Sequence, residues 1–279
     1  MMDLRDAACF GVAGNFTGHL EQAGEAADFV NVVTKEASAP KALFPTYIPG
    51  AGKNVPDFLS VFPFDSRKII FPAGEEKLQI EPECAVVFNA EWKNGTVVKL
   101  VPVYFGASND CSIRKAGAKK ISEKKNWGCS SKGFSDVQIE LEDFSGKDSC
   151  IDSYRIASFL VREGQIYDYG EDSAVRDYSY IYGKLLDWIC EKLNSQKDEG
   201  PAENINSYLK EAGYPSKIFV SIGATRYTSF GESNFLQNGD EAVVVLYPED
   251  VYEHEQIVEC VRKNSFGKGI SFLRQKVVM

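Results

Sequence analysis

The chain has 279 residues, of which 44% are hydrophobic, and this length and composition support a substantial folded core with no sign of disorder. Its net charge of −9 argues against a nucleic-acid partner, and the lack of any apolar stretch near roughly 20 residues argues against a membrane partner. The seven cysteines are scattered and no signal peptide is evident, so we predict a cytoplasmic protein with free thiols.

Strands and turns are predicted along the first half of the chain. Residues 8–12 form a short strand, and a polar helix follows over residues 17–29. A passage rich in proline and glycine, residues 40–56, is predicted to be irregular loop. Further strands are predicted over residues 68–71, 84–90, 96–105, 138–141 and 154–161. The Asn94-Gly95 pair, and with it Glu163-Gly164, predicts a hairpin turn.

Helices and strands alternate in the second half. Apolar side chains at helical spacing predict the longest helix over residues 178–193. Shorter helices are predicted over residues 205–212 and 250–263, and strands over residues 217–222, 241–247 and 269–278. Because no disordered linker separates two halves, we predict one β-rich α+β domain over residues 1–279.

Three acidic side chains are candidate metal ligands: Glu81, Glu83 and Asp110. Side chains two residues apart on a strand point to the same face, so Glu81 and Glu83 can bind one ion. Taken alone, such a pair is more often a solvated strand face. The apolar run over residues 84–88 predicts a buried strand, however, and carboxylates beside it need a counter-charge. Oxygen ligands favour Mg²⁺ or Mn²⁺, and allow Ca²⁺, over Zn²⁺.

One of the two histidines is a candidate acid or base. His19 follows Gly18 at the start of the predicted helix, where it is freer to exchange protons than on an apolar face. The alternative is an ordinary capping or surface histidine. His254 lies in a polar helix, and we predict a surface position for it.

Six short segments resemble the motifs of the fumarylacetoacetate hydrolase superfamily, in the same order. They are GNFTGH (14–19), IEPECAVVF (80–88), GASNDCSIR (106–114), WGCSSKGFSD (127–136), GAT (223–225) and FLQNGD (235–240). Each motif is weak by itself, but six in the correct order are specific. The superfamily includes acylpyruvases, 2-oxo acid decarboxylases and related isomerases, and the likeness extends from about residue 10 to about residue 247.

The resemblance implies a mixed β-sheet roll of the fumarylacetoacetase C-terminal-domain type, usually a homodimer, with insertions here near residues 32–66 and 195–215. By position, Glu81, Glu83 and Asp110 would hold Mg²⁺ or Mn²⁺. The cation would chelate the oxygens of a 2-oxo or 1,3-dioxo acid and stabilise the enolate that forms when a C–C bond breaks.

The resemblance also implies roles for four other side chains. Lys132 would add positive charge beside the developing oxyanion. Arg114 and Thr225 would orient the carboxylate of the substrate, and His19 would activate water.

Gln22 departs from the family pattern. In hydrolytic members a glutamate lies three residues after the histidine, and an amide in its place can orient the imidazole but cannot offset its charge. We therefore predict a divalent-metal-dependent enzyme that cleaves a C–C bond of a small 2-oxo or 1,3-dioxo acid, as a hydrolase or a lyase/decarboxylase, through a metal-bound enolate. The alternative is a catalytically lapsed member that still binds metal and a small acid.

Overall fold

The computed structural model describes residues 3–30, 32, 34–115 and 117–279, and strands dominate it. The strands are β1 (Ala7–Ala13), β2 (Ala42–Tyr47), β3 (Lys68–Ile70), β4 (Leu78–Gln79), β5 (Pro82–Lys93), β6 (Thr96–Asn109), β7 (Ser112–Ile113), β8 (Gly133–Phe134), β9 (Ile139–Glu140), β10 (Tyr154–Arg162), β11 (Gln165–Ala174), β12 (Lys217–Ala224), β13 (Glu241–Pro248) and β14 (Ser271–Val278). The helices are α1 (His19–Gln22), α2 (Tyr182–Ser195), α3 (Ile205–Glu211), α4 (Ser229–Ser233) and α5 (His254–Lys263). None of these helices is both long enough and apolar enough to cross a membrane.

Two large sheets and a small one make up the fold. The first sheet has the strand order β2-β1-β12-β5-β6-β8, with β9 also paired to β6, and the second has the order β11-β10-β13-β14-β3. Strand β4 pairs with β7 in the small sheet. The β1–β12 and β14–β3 pairs are parallel and the others are antiparallel. The predicted β-rich α+β class with mixed sheets is confirmed.

The hairpin of β5 and β6 consists of the two longest strands of the first sheet. Asn94 (φ 52°) and Gly95 (φ 75°) turn between the two strands, and both adopt the left-handed conformation that a tight type I′ turn requires. Both strands are longer than predicted from sequence, so their far ends meet where Pro82 pairs with Asn109. This end of the hairpin carries the candidate site.

The far end of β6 lies against β14 of the second sheet. The amide of Ala107 donates to Ser271 Oγ over 2.9 Å. Asn109 Nδ2 donates to Gln275 Oε1 over 3.0 Å. Buried side chains from both sheets, such as Phe105 and Leu273, join one apolar core. The strand ends that carry the site are therefore held where the two sheets pack together.

The prediction of an irregular loop over residues 40–56 is wrong in part. Residues of β2 within it pair antiparallel with β1, although β2 contains Pro45. Proline has no amide hydrogen to donate, but β2 lies at the edge of the sheet, where one side of the strand needs no partner. Sequence alone could not show that this strand is an edge.

The polar helix predicted over residues 17–29 is also wrong. The chain forms the single turn α1 and then a separate 3₁₀ turn over Ala26–Phe29. Gly24 lies between them with φ 69°, a left-handed conformation that ends a helix. The predicted helix over residues 178–193 is confirmed for most of its length as α2, and that over residues 250–263 begins later, at His254.

His254 is half-buried rather than simply on the surface. Its Nδ1 lies 2.7 Å from Asp172 Oδ2, and its Nε2 lies 3.1 Å from Asp168 Oδ1. The hydrogen bond with Asp172 is the main cause that raises the pKa of His254, against the lowering effect of burial. Arg155 and Tyr247 also bond to Asp172.

We expect His254→Gln to destabilise the protein more in mild acid than in mild base. A raised folded-state pKa gives stability that is fully present below the unfolded pKa of about 6.5 and is lost as pH rises through the folded pKa. Because the group is partly solvated, the charge contribution should be a few tenths to about 1 kcal/mol. Urea unfolding of both proteins at about pH 5.5 and about pH 8.5 checks this; an equal difference at the two pH values would count against it.

Candidate metal centre

The register of the β5–β6 hairpin brings the three predicted carboxylates together. Glu83 pairs with Ser108 across the hairpin, and the amide of Asp110 donates to the carbonyl of Glu81 over 3.0 Å. Asn109 Oδ1 accepts from the amide of Glu81 over 3.1 Å, which ties the two chain segments at this point. Glu81 and Asp110 thus flank Pro82 and Asn109, the last paired residues of the hairpin.

Glu81, Glu83 and Asp110 form a compact trio. Each offers one carboxylate oxygen, and these oxygens all lie within 4.8 Å of one another. The side chains are deeply buried, since the three residues are 3%, 1% and 2% exposed. Carboxylates this close and this dry require positive charge beside them.

Lys132 supplies part of that charge, from the segment that enters β8. Pairing of β8 with the end of β6 places Lys132 beside Asp110, and its Nζ lies 3.0 Å from Asp110 Oδ1. The ammonium also donates to the carbonyl of Cys111 and lies 5.3 Å from the ring centroid of Trp127. Burial lowers the pKa of Lys132, and Asp110 opposes this shift.

Lys125 is a member of the site that sequence reasoning missed. Its Nζ lies 2.5 Å from Glu81 Oε2 and 2.8 Å from Asp110 Oδ2, and the side chain is buried. Burial alone would lower the pKa of Lys125, but Asp110 and Glu81 outweigh it and raise that pKa. The Lys124-Lys125 doublet resembles surface charge in sequence, and the only local hint is its place seven residues before Lys132.

Arg114 is bound within the protein on every side. Its Nε donates to Gln79 over 2.7 Å, and its Nη1 donates to Glu25 Oε1 over 2.7 Å. Its Nη2 lies 2.9 Å from Tyr227 Oη and 2.7 Å from Glu81 Oε1. The predicted contact of Arg114 with a substrate carboxylate therefore remains a prediction, since it would need one of these partners to be exchanged.

His19 faces this cluster from the start of α1. Its Nδ1 lies 2.8 Å from the carbonyl oxygen of Thr225, and its ring centroid lies 5.1 Å from that of Tyr227. A carbonyl can only accept, so Nδ1 carries the proton and Nε2 is the acceptor of the neutral ring. Burial lowers the pKa of His19, and Glu81 is the strongest opposing charge.

The side chain of Gln22 hydrogen-bonds to Tyr227 and not to His19. Its Nε2 donates to the carbonyl of Tyr227 over 3.0 Å, and its Oε1 accepts from the amide of Tyr227 over 2.8 Å. The side chain therefore clamps the backbone that carries Tyr227. The backbone carbonyl of Thr225, and not a side chain, orients the imidazole.

We expect Gln22→Glu to lower the free energy of unfolding by about 1–2 kcal/mol and to leave His19 without a carboxylate partner. A carboxylate can accept from the amide of Tyr227 but cannot donate to its carbonyl, so that half-buried carbonyl loses its bond. Urea unfolding and an NMR titration of His19 check this. A stabilised variant with a raised His19 pKa would contradict the clamp that we describe.

Glu83 and Thr225 both lie at the end of strand β12. The amide of Gly223 donates to Glu83 Oε2 over 2.7 Å, and Gly223 has φ 125°, which favours glycine. Burial, followed by Asp110 and Glu81, raises the pKa of Glu83 well above its usual range. The buried hydroxyl of Thr225 has no hydrogen-bond partner among the described residues.

Four acids and four cations form what we call the buried charge cluster. Its acids are Glu25, Glu81, Glu83 and Asp110, and its cations are Arg114, Lys124, Lys125 and Lys132. Lys124 joins it through Glu25, at 2.9 Å. Burial alone would raise the pKa of Glu81, but Lys125 and Arg114 together hold it well below its usual range. Four cations therefore face four carboxyl groups before any metal is added.

The donor set fits a hard divalent cation. All three members of the trio offer carboxylate oxygen, the ligand type of Mg²⁺ and Mn²⁺. Glu81 Oε1 and Asp110 Oδ2 accept no hydrogen bond from the described residues, although each lies in an ion pair. These two oxygens are therefore candidate ligand atoms, and each now contacts a cationic side chain that a metal would have to replace.

The trio is enclosed by its own neighbours. Lys125 and Lys132 are as buried as the carboxylates that they contact. Surface cavities of about 470 Å³ and about 780 Å³ lie elsewhere, and none of the three carboxylates lines either of them. The three carboxylates therefore offer almost no exposed surface to a ligand in this conformation.

A sequence-family comparison assigns most of the chain to one family. The family model described as "Family of unknown function (DUF5718)" matches residues 25–277. The matched range contains the carboxylate trio, Lys125 and Lys132, whereas His19 and Gln22 precede it. No curated protein matches this sequence.

Solved structures of similar fold extend over nearly the whole chain. A putative fumarylacetoacetate hydrolase family protein from Yersinia pestis CO92 has a TM-score of 0.53 and 13% identity, over 97% of this chain and 93% of its own. A 2-keto-3-deoxy-D-arabinonate dehydratase complexed with magnesium and 2,5-dioxopentanoate has a TM-score of 0.53 and 15% identity, over 97% and 72%. A 5-carboxymethyl-2-hydroxymuconate delta-isomerase from Mycobacterium smegmatis has a TM-score of 0.52 and 14% identity, over 98% and 78%.

At these identities the likeness shows the fold. The chain has the fold of the fumarylacetoacetate hydrolase proteins, as the six sequence motifs predicted. Proteins of different activity share this fold, so the reaction must be inferred from the site.

Proposed function

The chain belongs to the DUF5718 family, and we propose that it is a divalent-metal-dependent enzyme that cleaves a C–C bond of a small 2-oxo or 1,3-dioxo acid. The reaction class is that of an acylpyruvate-type hydrolase or a lyase/decarboxylase. The observation that carries the proposal is the buried trio of Glu81, Glu83 and Asp110, whose oxygens lie within 4.8 Å of one another. Support comes from a dehydratase of the same fold, which was solved with magnesium and a dioxo acid.

The trio would hold Mg²⁺ or Mn²⁺. When bound, the cation would supply Lewis acidity to the oxygens of the acid and offset the negative charge that develops on them. Lys132, 3.0 Å from Asp110, adds a fixed positive charge to the same place. Because the trio is deeply buried, water is excluded and each charge acts more strongly than it would in solution.

His19 and Thr225 would also act on the substrate. The neutral imidazole holds its proton on Nδ1, so Nε2 can take a proton from water or from the substrate. The unpartnered hydroxyl of Thr225 can donate to the substrate carboxylate. Since no carboxylate in the described part of the chain hydrogen-bonds to His19, a lyase or decarboxylase reaction demands less of it than hydrolysis does.

A second candidate is a binding protein that has lost turnover but retains metal and small-acid binding. Gln22 bonds to the Tyr227 backbone instead of supporting His19. Lys125 also takes up the space between Glu81 and Asp110. Both observations count against rapid turnover, since the first leaves His19 without a supporting side chain and the second obstructs two metal ligands.

A substrate screen tests the enzyme proposal. The purified protein, with Mn²⁺ or Mg²⁺, is incubated with oxaloacetate and a series of acylpyruvates, and released pyruvate is measured with a coupled dehydrogenase. We expect metal-dependent release that a chelator abolishes. His19→Gln should reduce kcat at least about 100-fold, the usual contribution of a general base.

The other histidine provides the matched control. His254→Gln removes an imidazole far along the chain in α5 and should leave turnover at the wild-type rate. If the protein binds Mn²⁺ but turns over no compound in the series, the binding-protein candidate is favoured instead. The homodimer that the resemblance implies belongs to this proposal too, and light scattering of the purified protein measures it.

A further inference from the structure

We propose that Lys125 is a built-in counter-cation that takes the place of the divalent metal and must withdraw before the metal binds. This inference rests on the proposed metal site and adds a residue that controls its loading. The ammonium of Lys125 lies between two of the three ligands, 2.5 Å from Glu81 and 2.8 Å from Asp110. A cation bound by the trio would need the same two carboxylates.

Charge balance supports this placement. Three cations already contact the trio, Arg114 at Glu81, Lys125 at Glu81 and Asp110, and Lys132 at Asp110, so a divalent cation added beside them would leave an excess of positive charge in a dry site. Two positive charges a few ångströms apart repel strongly where water is excluded. Withdrawal of one ammonium relieves the repulsion, and Lys125 is the cation that contacts two metal ligands at once.

The other cations of the cluster are less suited to withdraw. Lys132 contacts Asp110 alone among the three ligands and is also held by the carbonyl of Cys111. Lys124 contacts Glu25 and Asp28, which lie outside the trio. Arg114 is fixed by four neighbours. Besides the two carboxylates, the Lys125 ammonium lies over the ring of Phe44, whose centroid is 5.1 Å from Nζ.

The burial of the trio is consistent with a side chain that blocks access to it. Lys125 contacts two of the three carboxylates and so covers part of the trio. Movement of its long, flexible side chain therefore frees two ligands and opens space in a single step. In the metal-free protein the Lys125 ammonium forms ion pairs with both Glu81 and Asp110. The two ligands are therefore held in place before the metal binds.

Calorimetric titration with Mn²⁺ alone tests the proposal on the full-length protein. We expect Lys125→Met to bind Mn²⁺ at least about tenfold more tightly than wild type, because a competing charge has been removed. Lys125→Arg, which keeps the charge, should bind no more tightly than wild type. Lys124→Met is the matched control, since it removes a neighbouring buried ammonium that contacts none of the three ligands.

A thermal-shift series provides a second readout. Without metal, Lys125→Met should melt below wild type, since Glu81 and Asp110 lose a partner. Saturating Mn²⁺ should raise its melting temperature by more than it raises that of wild type. If Lys125→Met does not fold, a crystal structure of the wild-type protein grown with Mn²⁺ tests the proposal instead. A Lys125 Nζ that still lies between Glu81 and Asp110, beside bound Mn²⁺, overturns it.

The outcomes separate this inference from the proposed function. Equal Mn²⁺ affinity of wild type and Lys125→Met overturns the counter-cation proposal but leaves the metal site standing. Failure of both proteins to bind Mn²⁺ overturns the metal site and the counter-cation with it.

Discussion

Glu83→Gln is expected to weaken Mn²⁺ binding at least about 100-fold while the protein keeps its fold. Even outer partners of metal ligands contribute about 10–100-fold to affinity, so a ligand itself should contribute more. The amide oxygen of glutamine can still accept from Gly223, the hydrogen bond that now holds Glu83 Oε2. Titration calorimetry with Mn²⁺ measures the loss.

The free energy of unfolding of Glu83→Gln is the control that shows the variant is folded. Because a neutral amide replaces a buried carboxyl group of nearly the same shape, the free energy of unfolding should change by less than about 1 kcal/mol. Urea unfolding without metal measures it. Undiminished Mn²⁺ affinity in a folded Glu83→Gln protein would show that Glu83 is not a ligand.

Asp110→Asn is expected to lower the free energy of unfolding by about 3–5 kcal/mol, the usual loss when one partner of a buried ion pair is removed. Asp110 Oδ1 lies 3.0 Å from Lys132, and Oδ2 lies 2.8 Å from Lys125. The variant leaves both ammonium groups buried with less negative charge beside them. Urea unfolding without metal measures the change, with exposed Asp148→Asn as a control expected to stay within about 0.5 kcal/mol.

A double-mutant cycle tests the cause of that loss. If the unpaired Lys132 ammonium contributes much of it, then Asp110→Asn combined with Lys132→Met should be less destabilised than the sum of the single variants. Simple additivity would mean that the two side chains do not interact in the folded protein. A loss below about 1 kcal/mol in Asp110→Asn would contradict the buried charge cluster itself.

The Glu81 and Glu83 pair could be predicted from sequence because alternation along a strand is local. The position of Asp110 is less local, because the pairing that starts at the Asn94-Gly95 turn shifts at two irregularities, Glu91/Trp92 and Val87/Phe88, before it reaches the site. The β5–β6 hairpin and most other strands were predicted because strong periodic patterns and tight turns depend on neighbouring residues alone.

The remaining parts of the site depend on contacts that the sequence does not display. Lys125 follows a 3₁₀ turn, and its burial is decided by Phe44 and by the trio, far away along the chain. The group that orients His19 is the backbone carbonyl of Thr225, which no side-chain pattern can indicate. In the same way, β2 was predicted as loop because its edge position depends on tertiary structure.

The most direct measurement is an anomalous difference map from crystals grown with Mn²⁺ and oxalate, a mimic of a small oxo acid. A metal site formed by Glu81, Glu83 and Asp110 predicts one strong peak surrounded by their oxygens, with oxalate beside it and the Lys125 ammonium displaced. A map without a peak at the trio, with Lys125 still between Glu81 and Asp110, would contradict both the metal site and the enzyme that we infer from it.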